Sequence, residues 1–331
     1  MKEFVARRTT VSIALSAAFA FLPAAASAQN APAYPTKPIR FVIANSAGGG
    51  LDVTARVTGP TLIKSMGQQV IYDNRGGAAG SVAAETVAKA PPDGYTMLMG
   101  SIGNIAVNPH VYKNLAYDPL KDLAPVTFAV SGSNVLVVHP TLPVKNVQDL
   151  VALLKAKPGG LTYGSSGSGN AGHLAAELFQ SMTKTKMTHV PYKGGAPAMT
   201  ALLGGEVQLI FASPSTAQVQ VTAGKVRALA VTTLKRSLVL PDLPTLAESG
   251  LPGYETDNWY GVMVPAKTPK AIVARLNKEF MHALNVPEVK DALLKNGLEA
   301  RPGTPEEFGK YIRSEYSKWG KVIKEAGIGQ S

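Results

Sequence analysis

The chain has 331 residues, a formal net charge of +11 and no cysteine; 45% of its residues are hydrophobic and 17% are charged. That length suits two domains of ordinary size, and the composition excludes wholesale disorder. The absence of cysteine excludes disulfides, thiol catalysis and a lipid anchor on an N-terminal Cys.

The N-terminus reads as a secretory leader. Lys2, Arg7 and Arg8 open it, Val11 to Leu22 is apolar and uncharged, and Ala26-Ser27-Ala28 is a small-residue cleavage site. Cleavage is expected after Ala28, so residues 1–28 are expected to be a signal peptide and the mature protein to be soluble and exported. No later segment approaches ~20 uncharged apolar residues. The basic balance attracts anions in general. No run of five basic residues and no aromatic–basic alternation occurs, so nucleic acid is not the expected partner. A small anionic ligand requires a site.

Along the mature chain, short runs rich in Val, Ile, Phe and Tyr alternate with helical patterns. Strands are predicted at 39–44, 69–72, 95–100, 134–138, 161–164, 207–212, 226–232 and 260–264. Helices are predicted at 51–65, 80–89, 147–156, 171–182, 197–203, 216–223, 269–284, 288–296 and 305–324. The alternation argues for α/β units on mainly parallel sheets. Leu150, Val151, Leu153 and Leu154 form one apolar stripe, and Pro269 opens a later helix. Gly59-Pro60 falls inside the first helix, which is expected to kink or stop near Thr58, because an interior proline costs roughly 3 kcal/mol. The charged residues of the last helix, Glu315 among them, read as a solvated face. Trp259 and Tyr260 read as core or hinge aromatics, or as a pocket wall.

Two strand-to-helix junctions are rich in glycine. VIANSAGGGLDVTAR spans Val42 to Arg56, and LTYGSSGSGNAGHLAAELF spans Leu161 to Phe179. A helix start presents unpaired N–H groups and a partial positive charge. Glycine lets a ligand approach the backbone, and Ser165, Ser166, Ser168 and Asn170 add side-chain donors. Such a junction suits a carboxylate, phosphate or sulfate. Gly48-Gly49-Gly50 is not a dinucleotide fingerprint, and neither junction is an ATP loop. Asp52 is read as compensating the helix dipole or holding the glycine loop, not as touching the anion. His173 and Glu177 share a helical spacing but lack a third metal ligand, so no metal and no cofactor is expected. A serine hydrolase using Ser166 or Ser168 is the alternative from another class; G-x-S-x-G is absent and no acidic orienter can be picked out.

These landmarks resemble the substrate-binding proteins of the tripartite tricarboxylate transporters, the Bug family. They include Tyr34-Pro35-Thr36-Lys37-Pro38, Gly48-Gly49-Gly50-Leu51-Asp52, Asn74-Arg75-Gly76-Gly77-Ala78, Pro92-Asp93-Gly94-Tyr95, His189-Val190-Pro191-Tyr192-Lys193-Gly194 and Leu240-Pro241-Asp242-Leu243-Pro244. The resemblance covers nearly the whole mature chain. It implies a bilobed, periplasmic-binding-protein-like α/β fold, a type II venus flytrap, whose two α/β lobes are joined by a hinge. The first lobe is expected to be discontinuous, residues 29–129 plus 256–331, and the second to span 130–255. The resemblance further implies a small carboxylate as ligand, membrane transporter subunits or a sensor as partner, a monomer, and no enzymatic turnover. Carried over onto this chain, the ligand-binding residues are Asn45, Ser46, Gly48, Gly49, Asp52, Ser101, Ser165, Ser166, Gly169, Asn170 and Ser213. The family usually has Pro-Phe before the first glycine turn, where Ala44-Asn45 and Ala47 stand here. Many members have Asp after the Phe of the second-lobe strand, where Ala212 and Ser213 follow Phe211. Without that carboxylate, an amino-acid ligand is disfavoured.

Overall fold

The computed structural model describes Met1, residues 34–192 and residues 194–326. The leader and its cleavage site lie outside the described residues, Met1 apart. Among the described residues the chain begins with β1 (Ile39–Ile43), α1 (Gly50–Met66), β2 (Val70–Asn74), a 3₁₀ turn (Ala78–Gly80) and α2 (Ser81–Ala88). It continues with β3 (Thr96–Ser101), a π-helical turn (Gly103–Val107), α3 (Asn108–Val111), β4 (Leu123–Ser131) and β5 (Val135–Val138). Next come α4 (Val147–Ala156), β6 (Thr162–Ser165), α5 (Ala171–Thr183), β7 (Thr188–Pro191), α6 (Gly195–Leu203), β8 (Leu209–Ala212), α7 (Pro214–Thr222) and β9 (Arg227–Val231). The chain closes with β10 (Tyr260–Pro265), α8 (Lys270–Asn285), α9 (Pro287–Leu294), β11 (Glu299–Ala300) and α10 (Pro305–Ala326).

The strands form two sheets, ordered β11-β4-β10-β3-β1-β2 and β7-β6-β8-β5-β9, so the molecule is bilobed. The sheets are mixed rather than mainly parallel. Helix-linked strands (β1, β2 and β3; β6, β7 and β8) pair in parallel, whereas β4, β5, β9, β10 and β11 pair antiparallel to their neighbours. Of these, β4, β5, β9 and β10 flank the two passages between lobes, whereas β11 follows α8 and α9 and pairs with β4 at the sheet edge.

Central strands are mostly apolar and buried. Ile39, Phe41, Val42 and Ile43 of β1 are fully buried. In α4, Val147, Leu150 and Leu154 face the core, and the Asn146 side chain caps the helix by accepting from Asp149 N–H at 2.8 Å. The predicted break in α1 does not occur: the helix runs unbroken through Pro60 to a left-handed Gly67. Gly59 is there for packing, since a Cβ on it would stand 1.6 Å from the Tyr72 hydroxyl.

The chain crosses from β4 to β5 through Gly132–Asn134 and returns to β10 through Thr256–Asn258. The two passages are tied together. Asn258 N–H donates to Gly132 O at 2.9 Å, and Gly132 N–H donates to the Asp257 carboxylate at 3.3 Å. Thr232 links both, because its hydroxyl accepts from Asn134 N–H at 2.8 Å and donates to Thr256 O at 2.9 Å. Burial raises the Asp257 carboxyl to about 7, against the opposing pull of Arg301.

Glu315 corrects the reading of α10 as wholly solvated. It is buried, and its carboxylate accepts from the indole N–H of both Trp259 and Trp319, at 3.3 and 3.0 Å. Trp259 is therefore a core residue under the hinge.

Candidate functional site

The glycine-rich junctions lie where strands of both sheets end, the position at which open α/β sheets place ligands. Between the lobes they enclose a cavity of about 900 Å³. Five helix starts line it: α1 at Gly49, α2 at Gly80, α5 at Asn170, α6 at Gly194 and α7 at Ser213. None of the five has its N-terminus capped by the side chain at the capping position. No Asp, Glu, Lys or Arg side chain is among the described residues lining the cavity. The backbone dipoles of these helix starts add positive potential there.

In the first turn, Gly48 takes a left-handed φ of +81° and donates its N–H to Asp52 Oδ2 at 2.9 Å. Asp52 is only 3% exposed and does not line the cavity. Its other contacts are Arg56 Nε at 2.9 Å and Asn74 Nδ2 at 3.0 Å. Burial alone would raise this carboxyl, but the Arg56, Gly48 and Asn74 hydrogen bonds together hold it below the usual carboxylate range. Asp52 thus fixes the loop from behind. Asn45, Ser46, Gly48 and Gly49 face the cavity.

In the second turn, Ser165, Ser166 and Asn170 line the cavity but Gly169 does not. The Gly169 N–H is spent on His173 Nδ1 at 3.0 Å. That bond leaves the neutral ring's proton on Nε2, toward Glu177. Asn170 Nδ2 donates to Ser166 O at 3.0 Å, and Ser165 Oγ sits 2.6 Å from His189 Nε2. The Tyr163, His189 and His173 rings stack in sequence behind the turn, with neighbouring centroids 4.8 and 4.2 Å apart. Burial lowers both histidines to about 4, and for His189 the neighbouring His173 adds to the effect while Glu177 opposes it. Both rings are neutral scaffolding for the turn.

Ser101 and Ser213 also line the cavity. Sequence reasoning did not select the third glycine turn, Gly76–Gly80, which completes the first lobe's wall. Its signal was present in Arg75-Gly76-Gly77-Ala78-Ala79-Gly80, a glycine cluster between a strand and a helix. Gly80 is required there: its φ is +85°, and a Cβ would stand 2.5 Å from Asn104 Nδ2. Also unselected were Asn134, Tyr192, Gly194–Ala198, Thr216 and Asn258. Among the described residues, no group of three or more His, Asp or Glu could hold a metal ion.

A profile described as tripartite tricarboxylate transporter family receptor matches residues 54–328. A protein from the tcbD-tcbE intergenic region of Pseudomonas sp. strain P51 is 37% identical over 320 residues, covering 96% of this chain and 94% of that one. Among solved structures, Rpa4515 of R. palustris with adipate is 40% identical and superposes with a TM-score of 0.83, over 90% of this chain and 100% of that one. MatC of Rhodopseudomonas palustris, with bound malate, is 30% identical with a TM-score of 0.80, over 88% of this chain and 100% of that one.

Proposed function

The chain belongs to the tripartite tricarboxylate transporter receptor family, and from that membership we propose how its cavity works. It is a periplasmic solute-binding protein that captures a small carboxylate between two lobes for uptake. The observation that carries the reading is the cavity wall: five helix starts uncapped by their capping residues, supplied by both lobes, with no acidic side chain among the described lining residues. Such a wall donates hydrogen bonds and repels no anion. One carboxylate of the ligand meets the turns of α1 and α5. Contact with both lobes favours the closed form, because a ligand shifts an equilibrium only by its differential affinity for the two states. Relatives solved with adipate and malate make small dicarboxylates the first candidates.

The closed form is handed to the membrane subunits of a tripartite tricarboxylate transporter, after removal of the leader behind Ala28. The protein acts as a monomer and turns nothing over. The serine that meets a histidine is Ser165. It is 2% exposed, and its hydroxyl is also engaged by the Gly167 backbone, so it supports the turn. The test is native mass spectrometry of the mature protein for a co-purified ligand, followed by titration calorimetry with a panel of carboxylates. Micromolar or tighter binding of at least one small carboxylate is expected. Indifference to the whole panel, with binding of a neutral solute instead, would overturn the reading.

A further inference from the structure

Non-glycine residues with positive φ are uncommon and mark backbone that its surroundings hold in place. Among the described residues these are Ala78 (φ +45°), Ala79 (φ +50°) and Lys184 (φ +54°). Lys184 ends α5 in the left-handed conformation that closes many helices. Ala78 and Ala79 end no long helix. They are consecutive, and both line the cavity in the third glycine turn.

One side chain holds this turn. Asn108 is 0% exposed at the start of α3, and its Nδ2 donates to Ala78 O at 3.2 Å, Ala79 O at 3.3 Å and Ser81 Oγ at 2.7 Å. Its own Oδ1 is buried without a partner. The carboxamide thus serves the turn at a cost that an apolar side chain would not carry.

The lobes meet at the same place. A Cβ on Gly169, in the second lobe's glycine turn, would stand 3.6 Å from Asn108 Oδ1, 3.8 Å from Ala79 Cβ and 3.9 Å from Val107 Cγ1. A Cβ on Gly103, in the π-helical turn, would stand 3.4 Å from Gly169 O and 3.5 Å from Ala79 O. Bare backbone of the second lobe therefore lies against Ala79 and Asn108 of the first. Leu174, early in α5, extends the contact: it is buried within the first lobe's hydrophobic core, not its own.

We infer that Asn108 is a positioning residue. It holds Ala78 and Ala79 in the left-handed shape on which Gly169 seats, and so ties the cavity wall to lobe closure without touching the ligand. Released from Asn108, the alanine pair leaves the left-handed region, where Cβ crowds the following carbonyl, and the seat for Gly169 moves. The carboxylate reading of the cavity enters only through the affinity measurement below.

The experiment is hydrogen–deuterium exchange by mass spectrometry on the mature wild type, Asn108→Ala, and Asn108→Ala combined with Ala79→Gly. Two amides report the third turn, since Gly80 N–H donates to Gly77 O at 2.9 Å and Ser81 N–H donates to Ala78 O. Residues 167–170 report the opposite lobe. Asn108→Ala should speed exchange about tenfold in both segments. Adding Ala79→Gly should restore most of the protection in both, because glycine adopts the left-handed shape without strain. Calorimetry with adipate and with malate as probes should show about a fivefold loss of affinity in Asn108→Ala and its recovery in the double variant. If Asn108→Ala does not fold, Ser81→Ala removes one partner of Asn108 and should give a smaller rise in the same two segments. A rise confined to residues 78–81 would overturn the inference, because a merely local support leaves the other lobe unmoved. Unchanged exchange, or a double variant no better than Asn108→Ala, would overturn it as well. A wild type that binds neither probe would count against the carboxylate reading and not against this inference, which the exchange decides without ligand.

Discussion

The backbone N–H of Gly48 donates to the carboxylate of Asp52, four residues on, at 2.9 Å. The acid at the head of α1 is therefore turned away from the cavity and clamps the loop that faces it. Because Arg56 and Asn74 hold the same carboxylate, the first turn is preformed before any ligand arrives.

Replacing Asp52 with Ala should destabilise the protein by about 1–3 kcal/mol, the cost of losing a buried charged acceptor. Ligand affinity should fall as well, although the side chain does not line the cavity. Chemical denaturation and calorimetry on one preparation check both. Unchanged affinity would show that the first turn keeps its shape without its clamp.

Gly49 is crowded on its cavity side: a Cβ there would stand 2.5 Å from Asn45 Nδ2. Gly49→Val should displace Asn45 and block the approach to the backbone. Binding is expected to disappear while circular dichroism and the unfolding midpoint stay close to wild type.

The stacked histidines set an acid limit. Both are held near 4 against an ordinary value of 6.5, chiefly by burial. The unfolded chain therefore binds protons between pH 6.5 and 4 that the folded chain refuses. Stability from this source is complete above about pH 6.5 and declines as the pH falls toward 4. His189→Gln should shrink that decline. Thermal melts at half-unit pH intervals measure it.

Asp257 works with the opposite sign. Its carboxyl is raised to about 7 by burial, so the folded chain keeps a proton that the unfolded chain gives up. Stability from Asp257 is complete below about pH 4 and declines as the pH rises through 7. Asp257→Asn should raise the melting temperature at pH 8, with the gain vanishing near pH 4. Because the two effects partly cancel in the wild type, the single variants expose each one.

Much of the fold was legible because its strands are short Val- and Ile-rich runs. The eight predicted strands all occur, with ends shifted by one or two residues. Three were passed over. β4 contains Pro125, which argues against a strand; the pairing with β10 shifts register between Val262 and Met263, and Met263 is the partner of Pro125. β7 and β11 are too short and polar to give an alternating signal. The paired glycine turns were legible from composition, since the need for bare backbone at a helix start is local. Asn134 and Asn258 were not, because they are more than a hundred residues apart and only the hinge crossing brings them to one floor. Gly169 was misplaced by one step, because its bond to His173 depends on a helix face that turn chemistry does not reveal.

The most direct measurement of the central claim follows backbone amides by ¹⁵N NMR while the mature protein is titrated with the carboxylate it binds best. The amides of Gly48–Gly50 in one lobe and of Ser166–Asn170 in the other should shift together, along one curve with one dissociation constant. Shifts confined to a single lobe, or binding that leaves both sets unmoved, would contradict a carboxylate gripped between the two turns.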